Sequence, residues 1–504
     1  MKRTLTTLAT GGLALTAGEN LHAQYAPPPP PAPFSGFVNE WLRKDNPAMT
    51  NWDFSGSMRL RGEVKEGSAV PGRPGSVDFR ERGADVNNEY LLGKLRIQAG
   101  YTESWWSVFV QGRSSFAEND DRFAYANNPA VPGTVKRRGE GPESDTIDLQ
   151  QAYVTVGNPK QSPVTAKLGR QELIYGEERL VGALGWNNIG RVFDALKLTY
   201  HNDWFSADAF ASHVVIPVDG EFNADNDEEY LSGLYASTAK LPKTLLEAYF
   251  LSRNASPKAI SVEDSPQFGQ PSARDIYTVG GRVKSKPGEL GNWDYILEGA
   301  YQFGNYRDLR LGASSTRLDQ DAFMFVAQAG YTFTNIWATP RLGLEYSFAS
   351  GDSNPNDGKH ETFDNLFPTN HKFYGYMDFV SLQNIHDVRG ILQIKPHKRV
   401  TMALEGHGFW LADTHDNFYT VTGTPRGGIA ATPTGNTYGI NPNYNSFVGT
   451  ELDFITGVAI TRFAQLEVGY GHFFVGDYIS QSLSSPAVGS KDADYIYLQA
   501  TVNF

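Results

Sequence analysis

The sequence contains no cysteine, which excludes disulfide bonds and thiolate-bound metal centres. After the N-terminus no apolar run reaches the roughly 18 residues that a membrane-spanning helix requires, so any membrane crossing has to be made by strands. The sequence also has no excess of basic residues. It contains 44 Lys and Arg and 56 Asp and Glu, which gives a net charge of -12. This acidic balance argues against a nucleic-acid partner.

Common catalytic signatures are missing too. The chain has no G-x-S-x-G elbow, no H-E-x-x-H pair and no phosphate-binding loop. Glu405 and His407 share one face of a candidate strand, and His213 lies in another, but such a pair is more often a satisfied hydrogen bond than a catalytic dyad. We therefore predict that the protein is not an enzyme.

The N-terminus carries the marks of export. Lys2 and Arg3 precede a mildly apolar stretch, and a small-residue cleavage site follows, which predicts a signal peptide over residues 1–23. Residues 24–51 are predicted to form a proline-rich spacer and a short amphipathic helix. The remaining residues, 52–504, are predicted to form one domain.

From Trp52 to the last residue the chain alternates apolar and polar side chains with a period of two. In the final stretch Ile496 and Leu498 alternate with Tyr497 and Gln499, and the chain ends on Phe504, as the closing strand of an outer-membrane barrel typically does. About 18 segments follow this pattern, each long enough for the roughly 9–11 tilted residues of a bilayer crossing.

The connections between these segments alternate in length. Short turns occur at residues 101–103, 157–163, 201–203 and 240–244, and long polar segments at 66–87, 116–144, 173–190, 217–228, 351–386 and 412–444. A soluble sandwich has no reason to sort its loops in this way, whereas an outer-membrane barrel does. We predict an all-β fold, a single antiparallel transmembrane β-barrel of about 18 strands with long extracellular loops and short periplasmic turns. It would lie in the bacterial outer membrane, in contact with lipid and lipopolysaccharide.

The polar rows of these strands would line the lumen. The candidate lining residues are Arg59, Arg61, Lys94, Arg96, Arg113, Lys167, Arg282, Arg341, Arg389 and Glu345. A narrow, low-dielectric channel focuses the field of such charges, so basic residues could concentrate anions in it. The alternative is a ladder of ion pairs that cancels and holds only water. The spacing alone leaves both open.

Two acidic segments place oxygen ligands at alternate positions, as calcium loops do. They are residues 223–229 and 352–358, with Asp225, Asp227 and Asp352 as candidate ligands for structural calcium. Neither segment has the glycine and distal glutamate of an EF-hand, so a solvated loop or a cation bridge to lipopolysaccharide is the alternative. No other cofactor is expected.

The most distinctive stretch is GRQELIYGEERLVGALGWNNIGRVFDALKL, residues 169–198. It combines a strand end, a glycine-punctuated loop that can fold inward over a pore, and the start of a new strand. It resembles the signature of the alginate-export family of outer-membrane barrels. The matching positions include Arg170, Gln171, Tyr175, Glu177, Arg179, Trp186, Arg191 and Asp194, and the RLRGE of residues 59–63 is similar to the family's first strand.

This resemblance implies an 18-stranded monomeric barrel that passes an anionic polysaccharide through an arginine-rich lumen, with a periplasmic export partner. The sequence Tyr-Gly-Glu-Glu-Arg at residues 175–179 is less charged than in the characterised exporters, so other sugar-acid oligomers are candidates beside alginate. We predict an outer-membrane channel for such alginate-like substrates. The alternatives are a general diffusion porin for small solutes and, less favoured, a barrel enzyme or a plugged structural barrel.

Overall fold

The computed structural model describes residues 36–44, 46–68, 77–122, 143–158, 162–217, 222, 225–256, 273–307, 316–428 and 432–504. The predicted signal peptide and the proline-rich part of the spacer lie outside these residues. Within them, no helix has both the length and the apolar character needed to span a bilayer.

Strands dominate the described part of the chain. Its elements, in order, are α1 (Phe37–Lys44), a 3₁₀ turn (Pro47–Asn51), β1 (Trp52–Glu66), β2 (Asn87–Thr102), β3 (Trp106–Glu118), β4 (Asp145–Val156), β5 (Val164–Gln171), β6 (Phe193–His201), β7 (Ser206–Val215), β8 (Asp225–Thr238), β9 (Thr244–Ala255), β10 (Arg274–Ser285), β11 (Trp293–Arg307), β12 (Arg317–Thr332), β13 (Arg341–Ala349), β14 (Lys359–His360), a second 3₁₀ turn (Asn370–Lys372), β15 (Ile385–His397), β16 (Val400–Leu411), β17 (Phe447–Ala459), β18 (Ala464–Val475), α2 (Asp477–Ser482) and β19 (Ala493–Asn503).

The strands form one closed antiparallel ring. Each pairs with its neighbours in sequence, and β1 pairs with both β2 and β19. The short β14 stands outside the ring, since it pairs in parallel with β12 while β13 pairs directly with β15. The predicted 18-stranded barrel is thus confirmed.

Phe504 extends the β1–β19 seam that closes the ring. The backbone N–H of Phe504 donates to Gly56 O, and that of Gly56 donates to Phe504 O, both at 2.9 Å. In β19 Ile496 is 48% exposed and Leu498 55%, whereas Tyr497 is only 2% exposed. The predicted alternation of an apolar outer face and an inner face is confirmed for this strand.

The outer surface carries apolar rows that end in exposed rings near the short turns. Phe323 in β12 and Leu344 in β13 belong to such rows, and Trp105, Trp204 and Trp293 lie at or beside the periplasmic turns. Amphipathic rings favour the membrane interface, so these tryptophans mark its periplasmic level.

Loop lengths follow the predicted parity. Eight connections are turns, at residues 103–105, 157–163, 202–205, 239–243, 286–292, 333–340, 398–399 and 460–463, and the intervening connections at the other end are longer. One boundary is wrong: β8 already begins at Asp225, which pairs with Val215, so residues 225–229 are not a loop. Strand ends above the bilayer have water on both faces, and the apolar alternation that marks a strand is lost there.

Long connections fold into the barrel and contribute to its core. Three of them are residues 172–192, which we call the crossing loop, residues 350–384, the companion loop, and the described parts of residues 412–446. Buried apolar side chains of all three pack together, among them Leu180, Phe367 and Phe418. The adjoining β5 and β13 have 8 and 9 residues, against 15 in β1, so the chain leaves the wall early and turns inward.

Candidate functional site

A cluster of basic side chains lies on the inner face of β1, β2 and β3. Arg59 is the cross-strand partner of Lys94, and Arg96 is the partner of Arg113. Like charges placed directly opposite each other destabilise a sheet unless something compensates them. The groups that balance these positive charges therefore determine what the cluster can bind.

Arg59 and Lys94 are compensated by dipoles rather than by acids. Arg59 donates to Gly185 O at 3.1 Å and to Asn187 O at 3.3 Å, and Lys94 donates to the same two carbonyls at 3.3 and 2.8 Å. Within the described residues neither cation forms a salt bridge. Their charge is therefore met by no direct ion pair, and among the described residues Arg96 is paired with Glu172 at 3.4 Å.

Arg61 holds the tip of the crossing loop. It is paired with Glu63 at 2.6 Å, donates to Trp186 O at 2.8 Å, and its guanidinium lies 3.8 Å from the centre of the Trp186 ring. His371 of the companion loop stacks on the same indole at 3.9 Å. Both groups approach the ring centre so closely that they have to occupy opposite faces, and Trp186 is clamped between them.

The other end of the crossing loop is held by ion pairs on the opposite side of the barrel. Arg179 pairs with Glu345 of β13 at 2.8 Å, and Glu177 binds Arg282 and, at 2.7 Å, Lys284 of β10. All of these side chains are buried. The loop is therefore fastened to both walls and crosses the interior.

The companion loop is joined to the crossing loop by backbone hydrogen bonds. Phe367 N donates to Leu180 O and Gly182 N donates to Phe367 O, both at 2.9 Å. Arg191 adds a side-chain donor to Phe367 O at 2.7 Å. Burial of this guanidinium, together with nearby Arg253, lowers the pKa of Arg191 to about 9.

Asp364 anchors the companion loop to the wall. Its carboxylate accepts hydrogen bonds from Arg253 of β9, at 2.9 Å, and from Arg274 of β10. Burial alone would raise the pKa of Asp364, but the two guanidinium groups and the Leu366 backbone N–H outweigh it and hold that pKa well below its usual range. The anchor is therefore ionised at neutral pH.

The companion loop also covers an acidic part of the wall. Glu451 and Asp453 of β17 are buried, and they accept hydrogen bonds from the backbone N–H groups of Met377 and Tyr376 at 2.8 and 3.4 Å. Beside them, Glu405 pairs with Arg389. The carboxylates on this side are covered by backbone N–H groups, whereas Arg59 and Lys94 are covered by the Gly185 and Asn187 carbonyls of the crossing loop. The cations of β1 and β2 that border open space are Arg61, Lys65 and Arg96.

Two cavities lie on either side of the crossing loop. The outer one, of about 360 Å³, is bordered by basic residues that include Arg61, Lys65, Arg122 and Arg191. The inner one, of about 810 Å³, opens towards the periplasmic turns and is bordered by Arg96 and Lys167, among others. A solute that crosses the barrel has to pass the loop between them.

The predicted lining residues all lie on strands of the wall, but their charges are handled differently. Arg59, Lys94 and Lys167 have no carboxylate at salt-bridge distance in the part of the chain that is described. Ion pairs with strand or loop acids hold Arg61, Arg96, Arg113, Arg282, Arg341 and Arg389. Glu345 is paired with Arg179 and Arg389. Much of the wall therefore carries a ladder of ion pairs. Arg59 on β1 and Lys94 on β2 lie beside it and form what we call the basic sector.

The motif residues form the base and the tip of the crossing loop. Arg170 binds Asp194 through two hydrogen bonds of 2.9 Å across β5 and β6, and Gln171 donates to Ala195 O at 3.1 Å. Tyr175 stacks on Tyr235, with ring centres 4.7 Å apart. These contacts fix the point where the chain leaves the wall.

Sequence reasoning missed the companion-loop residues that complete the site, notably Asp364 and His371. Their segment has no strand period and no motif that would signal an inward fold. The signal that could have found it is its content of rings, because Phe363, Phe373 and Tyr374 are unusual in a solvated loop.

The calcium ligands remain a prediction. The side chain of Asp225 is not among those described, that of Asp227 is 82% exposed, and Asp352 accepts a hydrogen bond from Asn354 N at 3.2 Å. In the described ranges no group of three or more acidic or histidine side chains is arranged to hold a metal ion.

Comparison with known proteins agrees with this geometry. A family profile described as alginate export matches residues 52–487. No curated protein matches the sequence. Among solved structures, Pseudomonas aeruginosa OccK1 (OpdK) superposes with a TM-score of 0.53 at 10% identity, covering 90% of this chain and 98% of that one, and a second structure of OpdK contains vanillate. P. aeruginosa OccK2 (OpdF) in complex with glucuronate gives 0.52 at 10% identity with the same coverage. At this identity the likeness shows the fold alone.

Proposed function

The chain belongs to the alginate export family and forms a channel in the bacterial outer membrane, and from this premise we propose that it passes anionic polysaccharide or sugar-acid oligomers, of the alginate type, through a lumen lined by arginine and lysine. One observation carries the proposal. Arg59 donates to the carbonyls of Gly185 and Asn187 and to Asn188 Oδ1, and Lys94 donates to the same two carbonyls. Glu451 and Asp453, on β17 three strands from β1 along the wall, are buried under the companion loop.

The physics of such a wall favours carboxylates. Low-dielectric walls focus the field of the basic sector, which raises the local concentration of anions. A guanidinium presents a planar fork that matches a carboxylate with two hydrogen bonds. Vanillate and glucuronate, with which two barrels of this fold have been crystallised, both carry a carboxylate, which agrees with the proposed class.

A general diffusion porin is the second candidate, and the ion pairs favour it. Arg113, Arg282, Arg341 and Arg389 all bind carboxylates, and a wall of cancelled charges has little preference between anions and neutral solutes. The two candidates differ in what the basic sector does to flux, so flux measurements separate them.

The proposal includes one chain per barrel and a periplasmic partner. The seam between β1 and β19 completes the barrel within a single chain. Helix α1 lies at the periplasmic rim, where Asn39 contacts Asp53 and Arg462 pairs with Glu40. It leaves Trp41 73% exposed, which is a suitable contact for an export partner.

Proteoliposome flux tests the proposed substrate class. We compare efflux of oligouronates with that of neutral oligosaccharides of equal length for the wild-type protein and for Arg59→Gln/Lys94→Gln. The expected result is a fall of about tenfold in oligouronate flux with unchanged neutral flux, because only the anion gains from the basic sector. Arg82→Gln, at an exposed position on an outer loop, is the matched control. Equal losses for both sugars would favour the general porin.

A further inference from the structure

The inner cavity contains an aromatic surface that a water-filled barrel does not need. Phe109 of β3 and Tyr153 of β4 are cross-strand partners whose rings stack with centres 5.2 Å apart, and both border the cavity. Inner faces of such barrels are normally polar, since they line water. Aromatic side chains that face water in a channel indicate a binding site for an apolar or ring-shaped ligand.

A lysine without an acid partner lies against this surface. Lys167 of β5 is placed 3.6 Å from the centre of the Tyr153 ring, and its cross-strand partner is another lysine, Lys197. Lys197 is paired with Asp208 at 3.4 Å. For Lys167 the described residues supply no carboxylate at salt-bridge distance, so the pair keeps one uncancelled charge.

The acids that border the same cavity are engaged elsewhere. Asp208 also accepts hydrogen bonds from Tyr175 at 3.0 Å and Thr199 at 2.6 Å. Glu172 pairs with Arg96, Glu247 binds Arg282, and Asp53 accepts from Asn39 and Ser55 at the rim. The charge on Lys167 is therefore available to an external anion.

We propose that the inner cavity is a second binding site, in which Lys167 binds the carboxylate of a cyclic acid while the ring of that acid lies on Tyr153. The inference rests on the proposed function and names a subsite for it. In the empty site the ammonium lies on the tyrosine ring, a weaker contact than an ion pair with a carboxylate. When the ligand arrives, Lys167 moves to the carboxylate and frees the ring face for the sugar.

This site differs from the Arg59 and Lys94 cluster in position and in chemistry. Arg59 and Lys94 lie against the Gly185 and Asn187 carbonyls at the tip of the crossing loop, whereas Lys167 and Tyr153 border the cavity on its inner side. The outer cluster offers charge alone, whereas the inner site requires charge and a ring in one ligand. The channel would therefore hold pyranose or aromatic acids longer than open-chain acids of the same charge.

Binding to the detergent-solubilised full-length protein tests this inference by calorimetric titration. The probes are glucuronate, which has a ring, and gluconate, which is open-chain with the same charge. The wild type is expected to bind glucuronate several times more tightly than gluconate. Lys167→Gln should weaken glucuronate about tenfold, the loss of one charge-assisted contact, while Lys167→Arg restores most of it. Tyr153→Leu should abolish the preference for the ring, and Lys240→Gln in an exposed turn should change nothing.

The outcomes separate this inference from the proposed function. Equal glucuronate affinity in Lys167→Gln and wild type, or equal wild-type affinity for the two probes, would overturn the second site. Anion preference measured from reversal potentials is expected to persist in Lys167→Gln and in Tyr153→Leu, because Arg59 and Lys94 are intact. If the wild type itself lacks anion preference while Lys167 still binds glucuronate, the proposed function fails and the site stands.

Discussion

At the scale of single residues, arginine side chains have two different roles in this barrel. Arg282 is enclosed by Glu177 and Glu247, and it serves to hold the crossing loop. Arg59 donates to carbonyl oxygens and forms no ion pair with a described carboxylate, so its electrostatic field can act on a passing anion. Period-two alternation could predict that both side chains face inward, but it could not predict their partners, because those partners come from loops that are distant in sequence.

This difference predicts opposite phenotypes for two substitutions. Arg282→Ala removes the cation bound to buried Glu247 and leaves Glu177 with Lys284 alone, and it is expected to cost about 3–5 kcal/mol of stability. Arg59→Ala removes a cation bound only to carbonyls, so it should cost much less but reduce anion selectivity. Urea unfolding in lipid, followed by tryptophan fluorescence, measures the first effect, and bilayer recordings measure the second. Equal destabilisation by both would contradict the assignment.

The Asp364 anchor predicts a pH dependence. Its pKa is lowered in the folded protein, so its contribution is complete above the ordinary aspartate value and is lost as the pH falls through the lower, folded value. We expect protease cleavage of the companion loop to be unchanged from neutral pH down to about 5 and to increase only below about 4. Asp364→Asn should be cleaved rapidly at neutral pH, and slow cleavage of that variant would refute the anchor.

At the scale of elements, the crossing loop is fixed both at its tip and at its base. Its tip is clamped through Trp186 between Arg61 and His371, and its base is fixed by Arg170 and Asp194. Short β5 and β6 follow from this, because residues that would have continued the wall are used inside it. We therefore expect the crossing loop to limit the width of the channel.

Release of the loop tip should widen the channel. Trp186→Ala removes the clamped ring, so single-channel conductance and its fluctuations are expected to increase while the barrel stays folded. Trp204→Ala is the matched control, since this ring is 72% exposed beside a periplasmic turn. Conductance that is identical in the two variants would show that the clamp does not limit the pore.

The elements also show which features of the fold could be predicted from the sequence. Strand positions, loop parity and the motif at residues 169–198 were predictable, because each depends on local alternation or on a contiguous pattern. The inward fold of the companion loop was not, since it depends on Phe367 meeting Leu180 and on Asp364 meeting Arg253, contacts between distant segments. The start of β8 at Asp225 was missed because strand ends above the membrane have two wet faces.

At the scale of the whole molecule, closure depends on the β1–β19 seam, which Phe504 extends. Phe504 exchanges two hydrogen bonds with Gly56, and its ring contacts Phe37 of α1 with centres 6.4 Å apart. Deletion of Phe504 is expected to reduce the fraction of chains that close in detergent or lipid. Heat-dependent gel mobility measures that fraction, with Phe504→Tyr as the control that keeps both backbone bonds and the ring.

The basic sector on β1 and β2 gives the molecule its proposed selectivity, despite its net acidic charge. The most direct test is the reversal potential of wild-type protein in a planar bilayer across a potassium chloride gradient, compared with that of Arg59→Glu/Lys94→Glu. Anion preference in the wild type, abolished or inverted in the double variant, is the predicted result. A cation-selective or non-selective wild type, or a double variant with an unchanged reversal potential, would contradict the account.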